Sequence, residues 1–277
     1  MALPAELCGI ICRDSQLTRR DLRVLCAVSR TFRDEAERLL YVTVRLLNFR
    51  LVRSWSISLV RRPHLALRVR SLSLTMPPSS SLYPADLSKI HKSLRACSNL
   101  QALEVLNDGI TYEGDSVQSW ILEGHSFRLS KFANTYFHPI RLFRFLAQQS
   151  DIRILVLRTS DAADIPYTIL PNLSTIDVSA NVLRRFVSGY WEGKRPIAHI
   201  QYHLSRSSES DHISTFVVLS RFRETLTSLS LHRHGGFDIA IVMATVAVQL
   251  PELKFFRFID DNSFVRYTSS MLCDLVY

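Results

Sequence analysis

One short apolar pattern recurs along most of this chain: an apolar residue, two variable positions, a second apolar residue, one variable position and a third apolar residue. The full copies are Val69/Leu72/Leu74, Leu100/Leu103/Val105, Ile152/Leu155/Leu157, Leu173/Ile176/Val178, Ile197/Ile200/Tyr202, Leu226/Leu229/Leu231 and Leu253/Phe256/Phe258, and a weaker copy is Leu129/Phe132/Asn134. Their middle residues recur every 21 to 31 positions. Each copy ends in the alternation of a β-strand, so the pattern predicts a row of repeated strands.

Segments of helical or irregular character separate the copies, at residues 86–96, 139–148, 182–190, 212–222 and 237–249. Each segment follows one strand and precedes the next. We therefore expect an α/β solenoid over residues 42–277, with a parallel sheet on the concave side and helices on the convex side. An unrelated α/β domain with parallel strands is the alternative.

The first 46 residues follow a different pattern, that of three short amphipathic helices and one strand. Pro4 suits the start of the first helix, where its missing N–H removes no hydrogen bond. Thr18 and Asp21 have the spacing of a capping box, which predicts the start of the second helix. The apolar residues of the first helix fall at i, i+4, i+7 and i+8: Leu3, Leu7, Ile10 and Ile11. This pattern predicts a helical module over residues 1–41.

The module resembles an F-box in the segments Leu3-Pro4-Ala5-Glu6-Leu7, Ile10-Ile11, Asp21-Leu22, Val28-Ser29-Arg30 with Phe32, and Leu39-Leu40-Tyr41. In that family three helices dock on a small acidic Skp-type adaptor, which sits on the cullin scaffold of a ubiquitin ligase. The resemblance covers residues 3–46, and Phe32 stands where many members have Trp. The repeats resemble the irregular leucine-rich repeats common behind an F-box, although Asn181 alone occupies their asparagine position.

The resemblance implies a substrate-recruiting subunit that makes and breaks no bond. Such a subunit works by proximity, because a short tether gives the target an effective concentration near mM. The implied adaptor-binding residues are Leu3, Pro4, Leu7, Ile10, Ile11, Leu22, Leu25, Val28 and Phe32. Two readings remain open beside it. The helices could form an ordinary cap on the next domain, and the repeats could be a protein-interaction scaffold that works without a ligase.

Strand alternation predicts where a protein target would bind. If the middle residue of each copy points into the core, its neighbours point outward on the concave face. The outward positions that we expect to bind the target are Arg158, Asp177, His199, His203, His232, Phe255 and Arg257. Phe255 and Arg257 are the expected hot spots, because aromatic and arginine side chains dominate binding at protein interfaces. Ordinary solvated strand positions are the alternative.

Charge and cysteine usage narrow the class of protein. Of the net charge of +9, the first 70 residues contribute +8, from 14 arginines and 6 acidic residues. A basic face steers an acidic partner; nucleic acid is disfavoured, because aromatic stacking platforms are missing among these arginines. Five scattered cysteines and no signal segment predict a reduced intracellular protein, cytoplasmic or nuclear. The longest apolar run, residues 239–248, is too short to span a membrane.

The sequence carries no motif for catalysis or cofactor binding. Gly-x-Ser-x-Gly, Gly-x-Gly-x-x-Gly, the P-loop and His-Glu-x-x-His are all missing. We therefore expect no enzyme activity and no cofactor; a hydrolase-like α/β enzyme would need a convergent Ser/His/Asp cluster. Candidate metal ligands were Cys8/Cys12, His199/His203 and His232/His234. None has a complete ligand set, so we interpret the cysteines as core residues and the histidines as polar surface.

Overall fold

The computed structural model describes residues 3–78, 81–108, 117–158, 166, 168–179, 182–183, 195–204, 217–233 and 239–260. Within these residues the chain has an α/β fold. Its elements are, in chain order, α1 (Ala5–Cys12), α2 (Arg19–Val28), α3 (Arg30–Val42), β1 (Thr43–Leu46), α4 (Phe49–Arg61), α5 (Pro63–Ala66), β2 (Ser71–Met76), α6 (Pro84–Ala96), β3 (Ala102–Asn107), a 3-10 helix (Val117–Leu122), β4 (Lys131–Asn134), a 3-10 helix (Pro139–Leu142), α7 (Phe143–Ala147), β5 (Ile154–Leu157), β6 (Thr175–Ser179), β7 (His199–Leu204), a 3-10 helix (Ser220–Phe222), β8 (Ser228–Arg233), α8 (Ile239–Gln249) and β9 (Phe255–Asp260).

All nine strands form one parallel sheet in the order of the sequence, β1 to β9. The register places the middle residues of every repeat copy opposite one another, in a row that starts one strand earlier than the repeats: Val44, Leu72, Leu103, Phe132, Leu155, Ile176, Ile200, Leu229 and Phe256. All but the last are buried, and Phe256 is half-buried. The prediction that Leu155, Ile176 and Ile200 lie in adjacent parallel strands and face one core is confirmed.

The helices cover the face of the sheet to which this row points. Trp55 of α4, Ile90 of α6, Phe145 of α7 and Val246 of α8 belong to the same hydrophobic cluster as the inward row. α4 starts where the side chain of Asn48 accepts a hydrogen bond from the Leu51 amide, a good N-cap. Helices therefore fill most of the segments predicted between strands. Asn181, His234, most of the segment 182–190 and residues 261–277 lie outside the described residues.

The weak repeat copy at β4 is in register with its neighbours although its third position is polar. Asn134 is fully buried there. Its side-chain amide donates to the carbonyl of Phe137 (2.7 Å) and its oxygen accepts from the Phe137 amide (2.8 Å) and the Tyr136 amide (3.3 Å). The buried nitrogen and oxygen of the Asn134 side chain therefore both have hydrogen-bond partners in the turn that follows β4. Because neither atom is left unpaired, the strand tolerates an amide where the other copies have an apolar residue.

The N-terminal helices have a separate small core, made of Cys8, Cys12, Leu22, Phe32 and Ala36. α3 packs against both α1 and α2. The predicted capping box is confirmed: the Asp21 amide donates to the Thr18 hydroxyl, and the Thr18 amide donates to the Asp21 carboxylate. The division into residues 1–41 and 42–277 stays a prediction, with a separate hydrophobic cluster on each side of it.

Arginines hold the helical module against the first part of the sheet. Arg19 donates to the carbonyls of Leu40 and Thr43, both at 3.0 Å. Arg68 donates to the carbonyl of Asp34 at 2.7 Å. Part of the basic charge that the sequence concentrates in this region therefore has a structural role.

Candidate functional sites

The first candidate site is the outer surface of α1, a helix whose large apolar residues are exposed and whose buried residues are small. The side of α1 that faces the core carries Cys8, Gly9 and Cys12, all buried. A Cβ on Gly9 would lie 3.3 Å from the Glu35 carboxylate, so α1 approaches α3 closely at this point. The large aliphatic residues are outside: Leu3 is 50%, Leu7 45%, Ile10 64% and Ile11 41% exposed.

A helix that stabilises its own domain turns its large apolar residues toward the core. α1 has the opposite arrangement. Covering one such side chain contributes about 1.5–3 kcal/mol. A helix that leaves all of its large aliphatic residues in solvent has the character of a docking surface.

α2 adds two exposed residues of the same kind. Val24 and Val28 are 61% and 62% exposed and lie one helical turn apart. Val28 belongs to the predicted adaptor-binding set, whereas Val24 was missed. Its i, i+4 spacing from Val28 is the signal that could have found it.

The predicted adaptor-binding set divides into two groups in the structure. Leu3, Pro4, Leu7, Ile10, Ile11 and Val28 are exposed. Leu22 and Phe32 are buried in the small helical core, and Leu25 packs against it half-buried. Leu22, Leu25 and Phe32 therefore stabilise the packing of the helices, and the exposed group forms the outer surface of the module.

The second candidate site is a chain of polar contacts on the outer face of the sheet. Both oxygens of Asp177 are engaged: Oδ2 accepts from Nε of Arg158 at 3.0 Å and also from its Nη2, and Oδ1 accepts from Nε2 of His203 at 3.0 Å. The ring of His203 stacks on that of His232, with centroids 4.8 Å apart. The Gln201 amide lies 3.1 Å from Nε2 of His232. We call Arg158, Asp177, Gln201, His203 and His232 the polar cluster.

Burial and charge set the protonation of this cluster. Burial opposes ionisation of Asp177, but the hydrogen bonds from His203 and Arg158 outweigh it and hold the pKa of the carboxyl below its ordinary value. Burial, followed by the nearby His203, lowers the pKa of His232 to about 4. Asp177 is therefore an ionised carboxylate and His232 a neutral imidazole at neutral pH.

The remaining predicted target-binding residues lie at the margins of this cluster. Arg257 is exposed and occupies the same cross-strand row as Asp177 and Gln201. Phe255 is 56% exposed. His199 and His232 lie on the neighbouring strands β7 and β8; the cross-strand partner of His199 is Ser228, and that of His232 is His203.

Burial corrects the expectation that every outward position is open to solvent. Asp177 is only 4% exposed and Val156 only 7%. The strand period gave the correct side of the sheet for Asp177. It could not show that Arg158 and His203 close over the carboxylate from neighbouring strands.

The described residues offer little for metal or nucleophilic chemistry. Among them, no group of three or more His, Cys, Asp or Glu side chains could hold a metal ion. Cys8 and Cys12 are buried free thiols, as their reading as core residues requires. Asp177 and His203 are paired as in a hydrolase triad, but the cation Arg158 shares that carboxylate and the ring of His232 covers His203.

Two comparisons add to this picture. No protein-family model matches the chain, and no curated protein matches it. In the part of the chain that the structure describes, no helix has the length and apolar character needed to cross a membrane.

Proposed function

We propose that this protein is the substrate-recruiting F-box subunit of a Skp/cullin-type ubiquitin ligase. In this proposal residues 1–41 bind the Skp-type adaptor and, through it, the cullin scaffold. Residues 42–277 form a leucine-rich-repeat-like solenoid whose concave side holds an unknown protein target. The observation that carries the proposal is the outward direction of the large aliphatic residues of α1.

The same observation argues against a simple helical cap. A cap would place its large apolar residues against the sheet, whereas α1 turns Leu7 and Ile10 to solvent. The module meets the sheet through polar contacts of Arg19 and Arg68 with backbone carbonyls and through Tyr41 of α3, which packs against the core of the sheet.

Charge supports an acidic partner at this surface. Arg13, Arg20, Arg23 and Arg30 are exposed, and no described residue pairs with their side chains. An acidic adaptor would be steered to such a face, and the exposed aliphatic residues would then be buried against it. Nucleic acid lacks the apolar surface that these aliphatic residues need.

The sheet supports the recruiting part of the proposal. Each strand pairs only with the strands before and after it in the sequence, as in a stacked repeat. The subunit would contribute no chemistry of its own. It would raise the local concentration of the target beside the charged enzyme, which replaces an encounter in solution by a nearly intramolecular one.

Adaptor capture tests the proposal. The full chain carrying Ile10→Ser would be co-expressed with a Skp-type adaptor, and the copurified adaptor would be quantified against wild type. Loss of one covered aliphatic side chain should weaken capture by about 10- to 100-fold. The matched control is Val248→Ser on α8, because Val248 is 77% exposed but lies at the other end of the sheet.

Two further variants make the test decisive. Leu3 and Pro4 changed together to Ala should weaken capture, and deletion of residues 1–40 should abolish it. Adaptor binding that survives both changes contradicts the ligase proposal. If no adaptor binds while the chain still captures other proteins through the sheet, the protein is a ligase-independent repeat scaffold, a reading that the separate core of the sheet favours.

A further inference from the structure

The outer face of the sheet from β5 to β9 has one acidic side chain among its described outward positions, and that side chain is already neutralised. Asp177 accepts from Arg158 through one oxygen and from His203 through the other. Arg257 on the same face has no described partner and is exposed. The face therefore has cationic character and no free carboxylate among these positions.

The polar cluster also holds N–H donors that lack an acceptor among the described residues. Arg158 uses Nε and Nη2 on Asp177, which leaves the two N–H groups of Nη1. The Gln201 amide N–H donates to Nε2 of His232, which places the proton of that neutral ring on Nδ1. Both donors are fixed in direction by contacts on their other side.

We propose that this face recognises an anionic peptide segment, whose carboxylate or phosphate oxygens bind between the polar cluster and Arg257 and whose adjacent apolar side chain packs on Phe255. The inference names the chemical class of target for the concave side, and to that extent it rests on the proposed function.

The geometry favours an anion over a cationic or neutral segment. An incoming Lys or Arg would find no carboxylate with a free oxygen and would approach Arg257 and Arg158. An oxygen anion would accept from donors that are already ordered, so that little side-chain entropy is lost on binding. Phe255 lies in the row of His199 and Ser228, beside the row of Arg257, so an apolar side chain about two residues from the anion in an extended peptide can reach it.

The peptide class can be tested with a synthetic peptide array and the tagged full chain. The array peptides would differ in composition, with Leu, Glu, Lys, Ser or phosphoserine drawn at random for each position, and the measurement is the enrichment of each residue among retained peptides. Enrichment of Glu indicates a carboxylate target, and enrichment of phosphoserine alone indicates a phosphate target. Enrichment of Lys, no charge preference, or no retention above that of the urea-unfolded chain would overturn the inference.

Two variants of opposite sign sharpen the test. Arg257→Glu should weaken binding of a retained acidic peptide by about tenfold or more, since a favourable charge becomes a repulsive one. Asp177→Asn should strengthen the same binding, because it removes the competing carboxylate and frees Arg158. The matched control is Arg141→Glu, an exposed arginine beside α7 on the helical side of the sheet, which should leave binding unchanged.

Folding and the ligase proposal are checked in the same preparations. Thermal unfolding identifies a variant that fails to fold, and Arg257→Glu decides the question even if Asp177→Asn is unstable, because Arg257 is exposed. Adaptor capture should be normal in Arg257→Glu. Acidic selectivity without adaptor capture leaves this inference standing and removes the ligase; adaptor capture without acidic selectivity does the reverse.

Discussion

Two buried side-chain amides replace apolar contacts in the middle of the sheet body. Asn134 closes the turn after β4 through Phe137 and Tyr136. Gln149 is also buried, accepts from the Leu129 amide at 2.9 Å and donates to the Phe127 carbonyl at 3.2 Å. Both satisfy backbone groups that would otherwise be buried without partners, so each position requires an amide.

Replacing Asn134 by Leu, the residue that the repeat pattern would place there, should therefore destabilise the protein. The change removes three hydrogen bonds to buried backbone groups. The expected loss in free energy of unfolding is about 2–4 kcal/mol, measured by urea titration with circular dichroism. Asn99→Leu is the control, because Asn99 is exposed and its one side-chain hydrogen bond to a described residue is the bond that it donates to the Leu67 carbonyl. Equal midpoints for the two variants would refute this role of Asn134.

At the scale of the element, strand alternation separates the first two residues of β5, although the next outward residue, Val156, is covered. Ile154 faces outward and is 37% exposed, whereas Leu155 is fully buried in the inward row. α1 shows the opposite case, since its periodicity is equally regular but its large side is the exposed one. Periodicity therefore defines the two sides of an element, and the size of the residues alone does not say which side is buried.

Two neighbouring aliphatic residues of β5 are expected to contribute very different amounts to the free energy of unfolding. Leu155→Ala should lower the free energy of unfolding by about 2–5 kcal/mol, because it leaves a cavity in the shared core. Ile154→Ala should cost about 1 kcal/mol or less, because its side chain already meets solvent. Urea unfolding of both variants checks this, with Ile176→Ala expected to behave like Leu155→Ala. A larger loss for Ile154→Ala would mean that the assignment of the two faces is wrong.

At the scale of the whole molecule, two histidines on opposite sides of the sheet couple folding to pH in the same direction. Burial lowers the pKa of His125 to about 4, against the effect of its hydrogen bond to the Ile121 carbonyl. The pKa of His232 is also lowered to about 4. Unfolded histidine titrates near pH 6.5. Between these values the unfolded chain binds more protons than the folded one, so stability falls as the pH falls.

We therefore expect the urea midpoint of the wild type to decrease steadily from pH 6.5 to pH 4, with uptake of about two protons on unfolding near pH 5. At a pH below the ordinary pKa of an aspartate, Asp177 adds to this loss of stability. Its pKa is lower in the folded chain than in the unfolded chain, so the unfolded chain binds this proton more readily. A His125→Leu, His232→Gln double variant should show a flatter profile. Replacing the exposed His64 by Gln should not change how the urea midpoint depends on pH. If the urea midpoint of the double variant depends on pH as strongly as that of the wild type, His125 and His232 are not the cause.

The local structure of this protein could be predicted from its sequence, because it depends on residues that are close together in the chain. The spacing of apolar residues predicted the strands, their parallel arrangement and the common row through Leu155, Ile176 and Ile200. The Thr18 and Asp21 pair predicted the start of α2. Each of these depends on residues a few positions apart, or on a pattern that every repeat copy carries by itself.

The tertiary structure alone decided which of the predicted surfaces are open. Asp177 lies on the outward side, as its strand position requires, yet Arg158 and His203 come from other strands to bury it. Leu22 and Phe32 share the apolar pattern of Leu7 and Ile10, yet the first pair closes the helical core and the second pair faces solvent. Exposure depends on what residues distant in sequence place against a side chain, and a local period contains no information about them.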